Sequence, residues 1–118
     1  FGTTVTLPRV IGNQKAKLML LTSIRLRGED AHKIGLADYY VDKSELINKA
    51  EEIANLINSS GPLGIESIRN TINTGLVEKI SKAVIREASE QNRLKDTDDF
   101  REGIKASLDR RDPLFTRS

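Results

Sequence analysis

Four cations gather near the C-terminus of this 118-residue sequence: Lys105, Arg110, Arg111 and Arg117. Such charge is the natural complement of phosphate, with guanidinium offering a planar fork of donors and ammonium a point charge. Lys105, Arg110 and Arg111 are the candidate ligand-binding residues, against the competing reading of an ordinary solvated surface. The other reactive side chains point to less. His32 is the only histidine and lies among Glu29, Asp30 and Lys33. No acidic or nucleophilic partner can be placed beside it, so it reads as an exposed residue. The carboxylate pairs Glu51–Glu52 and Asp98–Asp99 are sequence neighbours, and neighbours on a helix point apart. They read as solvated faces and caps. Thr3, Thr4 and Thr6 have no base near in sequence. No catalytic residue and no metal ligand is assigned.

The bulk numbers narrow the classes. There are 19 basic and 17 acidic residues, a net charge of +2, and the two signs are interspersed. A nucleic-acid module would cluster its cations and supply aromatic stacking platforms, so no nucleic-acid partner is expected. The longest apolar run, Leu18 to Leu21, has four residues, far short of a membrane-spanning helix. With no Cys, disulfides and thiolate chemistry are excluded, and a cytoplasmic location is the expectation. A chain of this length can bury a core without a staple. The chain opens on Phe1 rather than Met, and a fragment of a longer protein is expected.

The elements that must position these residues are mainly helical. Residues 13–22 read as a helix capped by Asn13, and residues 28–34 as one or two turns ended at Gly35. Leu36 to Val41 reads as a short strand, whose backbone groups need a partner outside these residues. Asp42 and Glu45 have capping-box spacing. Leu46, Ala50, Ile53, Ala54 and Ile57 then form an amphipathic stripe. Pro62 starts a helix carrying Ile65, Ile68, Ile72 and Leu76, which Gly75 breaks. A long charged helix follows, from about Leu76 to Lys95. Thr97 or Asp98 caps a last helix with Phe100, Ile104 and Leu108 facing inward, and Pro113 stops it. The expectation is six helical segments and one strand, with stripes that make core rather than cofactor contacts.

Five pieces in order resemble the enoyl-CoA hydratase/isomerase (crotonase) family. They are Leu7-Pro8-Arg9-Val10-Ile11-Gly12; Leu20-Leu21-Thr22 followed by Glu29, Ala31 and Gly35-Leu36-Ala37; Ser60-Gly61-Pro62-Leu63 followed by Arg69 and Asn73; Asp98 to Ile104; and Asp109 to Phe115. Each is weak alone, but their order and spacing are specific, and together they cover essentially the whole chain. The family resemblance implies the mainly α C-terminal lid and trimerisation region of a crotonase-like fold, residues 1–118, without the ββα spiral that precedes it. It implies a parent enzyme acting on an acyl-CoA thioester, with no tightly bound cofactor, assembled as a trimer or dimer of trimers. The oxyanion-hole and acid/base groups of the family lie ahead of the Leu7-Pro8-Arg9 segment, so this chain alone is expected to be inactive.

The resemblance also gives the cations a ligand. A basic residue at the position of Arg110 reaches the nucleotide end of coenzyme A bound in a neighbouring subunit. The aromatic that often assists, three residues earlier, is Ser107 here. One further departure concerns the branch of the family. Where hydratases read Gly-Gly-Thr-Gln-Arg-Leu, this chain reads Gly2-Thr3-Thr4-Val5-Thr6-Leu7. Hydration of a 2-enoyl-CoA is the first expectation and double-bond isomerisation the close rival. A non-catalytic helical interaction module is the alternative of another class.

Overall fold

Helices form wherever the apolar residues recur at three- and four-residue steps, and they make up the whole regular structure. The computed structural model describes residues 1–118, with seven α-helices in the order α1 (Thr3–Ile11), α2 (Asn13–Thr22), α3 (Gly28–Lys33), α4 (Leu46–Asn58), α5 (Pro62–Ile72), α6 (Leu76–Leu94) and α7 (Asp98–Asp109). A 3-10 turn at Lys43–Glu45 leads into α4. Pro62 occupies the first turn of α5 as expected. The Thr97 hydroxyl caps α7 by accepting the Phe100 N–H at 3.2 Å. Gly35 sits at φ 79° after α3, and the amides of Gly35 and Leu36 donate back to the carbonyls of His32 and Ala31. These are the two bonds of a Schellman ending.

The expected strand at Leu36 to Val41 is not formed. After the Schellman turn the Leu36 and Ala37 amides both return to the Ala31 carbonyl, so its first residues belong to the end of α3. The remainder has no regular structure and no neighbouring strand to complete a ladder. Its aromatic residues pack locally instead, Tyr40 against Gly28 and Tyr39 beneath the Lys49 ammonium at 5.4 Å. The Asp42–Glu45 capping box is also absent: Asp42 makes no side-chain cap bond, and Glu45 accepts from the Asn48 side chain at 3.3 Å. Asn13 starts α2 without capping it; the preceding Gly12 holds that position.

An unexpected helix, α1, contains Pro8, a residue that removes one backbone donor from a helix interior. It is held from its start. Gly2 at φ 82° turns the chain so that its carbonyl accepts the Val5 and Thr6 amides. From α6, the Glu87 carboxylate accepts the Gly2 N–H at 2.7 Å and the Thr4 hydroxyl at 2.5 Å. A carboxylate at a helix N-terminus also meets the positive end of the helix dipole. At the other end of α1, Arg9 donates to the Ile72 carbonyl of α5 at 3.4 Å.

The core is far smaller than chain length predicts. Only Gly2, Ile11, Ala16 and Ala106 are buried. Helix α1 packs on α2 and α6, and no other pair of α-helices packs comparably. The radius of gyration is 19.3 Å, against about 14 Å for a self-contained globule of this length. Ile104 and Leu108, expected to face inward, are 50% and 79% exposed, since nothing covers that side of α7. Between α4 and α5 an open groove of about 480 Å³ is lined chiefly by isoleucine and leucine. Contiguous apolar surface beyond a few hundred Å² marks an interface. The isolated chain should therefore self-associate, and sedimentation at micromolar concentration checks it: a clean monomer would count against this reading.

Candidate functional site

The cationic candidates all lie on α7 or just past it, where the chain reverses. Arg110 follows the last residue of α7 in the left-handed region, at φ 54° and ψ 41°. The Arg110 amide donates to the Ser107 carbonyl and the Arg111 amide to the Ala106 carbonyl. This is again a Schellman ending, but with arginine where glycine is the usual residue. A non-glycine side chain in that conformation costs roughly 1–2 kcal/mol. Strain of this kind persists only where surrounding contacts hold it.

Those contacts come from two carboxylates in the first turns of α7. Glu102 takes the Arg111 guanidinium in a bidentate pair at 2.6 and 2.9 Å and accepts the Leu114 N–H at 2.9 Å. Asp99 accepts the amides of Thr116 and Arg117 at 2.7 and 2.9 Å. The Asp99 amide in turn donates to the Ser118 carbonyl at 3.2 Å. The Phe115 ring lies 3.7 Å from where a Cβ would stand on Gly103. That is ordinary contact with a side chain. The tail thus runs back along α7, pinned at both ends.

The electrostatics follow from that geometry. The Arg111 guanidinium, then the Leu114 N–H, hold the Glu102 carboxyl down from 4.5 to about 2. A depressed carboxyl pKa contributes above its unfolded value and is lost as pH falls through the folded one. The pair therefore stays ionised from neutral pH down to strongly acid solution. The Thr4 hydroxyl, then the Gly2 N–H, lower the Glu87 carboxyl in the same direction.

The three expected ligand residues are consequently not equivalent. Arg111 is engaged by Glu102 and lies 3.5 Å from Asp109. Arg110 and Lys105 are exposed and form no ion pair. The paired carboxylates diverge as neighbours on a helix must: Asp98 meets Arg101 at 2.7 Å while Asp99 holds the tail. Glu52 meets Lys49. His32 is exposed, with Nδ1 3.1 Å from the Ala37 carbonyl. No group of His, Asp and Glu residues has the geometry to hold a metal ion. No helix is long and apolar enough to cross a membrane.

The Glu102–Arg111 pair was missed in the sequence. Its nine-residue separation falls outside the three- and four-residue helical pairing rule, and only the reversal at Arg110 brings the partners together. The Glu87–Gly2 link joins residues 85 apart, with no local signal at all.

Comparison with known proteins places the chain in context. The family model for enoyl-CoA hydratase/isomerase matches residues 1–118. A short-chain-enoyl-CoA hydratase from Clostridium acetobutylicum is 32% identical over 94% of this chain, and a crotonyl-CoA hydratase from Syntrophomonas wolfei is 33% identical over 98% of it. The chain spans 42% of the first relative and 44% of the second. A crystal structure described as an enoyl-CoA hydratase/isomerase from Pseudoalteromonas atlantica superposes with a TM-score of 0.81 at 22% identity, over 98% of this chain and 46% of that one. At that identity the superposition speaks for the helical arrangement alone.

Proposed function

Since the chain belongs to the enoyl-CoA hydratase/isomerase family, we propose that it is the helical C-terminal part of an enzyme that hydrates 2-enoyl-CoA thioesters. The observation that carries hydration ahead of isomerisation is the pair of hydratases matched at 32% and 33% identity along nearly the whole chain. The parent enzyme polarises the thioester carbonyl with paired N–H donors outside these residues. Such a donor is typically worth about 2.7–4 kcal/mol in the transition state. Water then adds across the double bond, and no tightly bound cofactor takes part.

This chain contributes binding and cover. Lys105 and Arg110 carry the free positive charge that meets the phosphates of coenzyme A, while Arg111 is structural. The exposed apolar faces of α4, α5 and α7 are covered by the rest of the enzyme and by sister subunits in a trimer or dimer of trimers. The location is the cytoplasm.

The test uses the full-length enzyme. With crotonyl-CoA, hydration removes the conjugated double bond and its ultraviolet absorbance, so the signal should fall in proportion to enzyme. If the signal stays flat while a 3-enoyl-CoA is converted to its conjugated isomer, the isomerase reading replaces this one.

A further inference from the structure

We propose that Glu102 is a positioning residue for the coenzyme A phosphate contact: by clasping Arg111 and the tail, it fixes the chain reversal that presents Arg110. The inference rests on the proposed role of Arg110. It adds a residue that bears the same sign of charge as the ligand and does not touch it.

The geometry gives Glu102 three donors from beyond the end of its own helix: two from the Arg111 guanidinium and one from the Leu114 amide. Bidentate guanidinium–carboxylate pairs add directional specificity to charge. Arg111 is therefore fixed twice, by its amide to the Ala106 carbonyl and by its side chain to Glu102. Arg110 lies between that anchor and the end of α7, at φ 54° in the left-handed region, where a non-glycine residue is held at a cost. Asp99 adds a second pair of bonds further along the tail, on Thr116 and Arg117. The division of labour between adjacent arginines follows. Arg111 holds the turn and Arg110, with no ion pair of its own, points its charge at the ligand.

The experiment measures the Michaelis constant and turnover of the full-length enzyme for an acyl-CoA and for the corresponding acyl-pantetheine, which lacks the nucleotide. Glu102→Gln preserves shape but presents an amide NH2 to donors. It should raise the Michaelis constant for acyl-CoA about fivefold, a little under one decade at 1.4 kcal/mol per decade, and leave acyl-pantetheine unchanged. Arg111→Lys keeps the charge but loses the fork, and should produce a smaller rise of the same selectivity; it also serves if Glu102→Gln does not fold. A fall in the Michaelis constant for Glu102→Gln overturns the proposal, because it would mean that Glu102 sequesters Arg111 from the phosphate. An equal effect on both substrates also overturns it, in favour of a general structural role, as does an unchanged constant in Arg111→Lys. Arg110→Ala run alongside separates the two levels. If it shows no nucleotide-selective effect, the phosphate reading itself fails; if it does and the Glu102 and Arg111 variants do not, only the clasp fails.

Discussion

Purified on its own, this 118-residue chain should turn over crotonyl-CoA no faster than a heat-killed control. The reason lies in the acid/base groups it contains. An efficient general base has a pKa near the working pH. Glu102 is held at about 2 by Arg111 and Leu114, and Glu87 is lowered by Thr4 and Gly2. Both carboxylates are spent on holding donors and are poor proton acceptors at neutral pH. His32 has no carboxylate partner; its hydrogen bond runs to a backbone carbonyl on the surface. The grooves between helices are open to water rather than closed around a thioester. Enzymes typically accelerate reactions by about a million-fold or more, and carboxylates held this low with open grooves around them supply little of that. Turnover proportional to the concentration of the purified chain would sink this view.

The legible parts of the fold were those written in local periodicity. The helices α4, α5 and α6, the Pro62 start, the Thr97 cap and the Gly35 stop each depend on residues within a turn or two of one another. The core contacts expected of the helices' apolar stripes, by contrast, do not form: no residue of α4, α5 or α6 is buried. The errors share another cause. Leu36 to Val41 has strand-forming residues, but a strand exists only when a second one pairs with it. Pro8 argues against a helix locally, yet α1 forms because Glu87, on α6, holds its start. Ile104 and Leu108 have the right spacing for a core, and spacing alone does not say what covers them. The site divides similarly. Composition pointed to Lys105, Arg110 and Arg111 as one cationic group. Only the fold separates Arg111, whose charge is taken by Glu102, from the two that remain unpaired.

In the full-length enzyme, Arg110→Ala should raise the Michaelis constant for an acyl-CoA about tenfold. Charge-assisted hydrogen bonds contribute roughly 1.5–3 kcal/mol when well formed, and an exposed contact screened by salt falls at or below the lower end. At 1.4 kcal/mol per decade that is one factor of ten. Turnover should barely change, because a phosphate remote from the reacting carbon is bound equally in the ground and transition states. Acyl-pantetheine should be processed equally by both enzymes, and added salt should narrow the difference between them. Arg110→Gly makes the argument sharper. Glycine adopts the left-handed turn at φ 54° without penalty, so this variant should be at least as stable as the parent protein. It should nonetheless show the same rise of about tenfold in Michaelis constant. Affinity for the nucleotide and stability of the turn then move in opposite directions at one position. That is the signature of a residue kept for its charge at some cost in backbone strain. A glycine variant that binds acyl-CoA as well as arginine does would reassign Arg110 to the helix ending alone, as would an alanine variant that loses turnover at constant Michaelis constant.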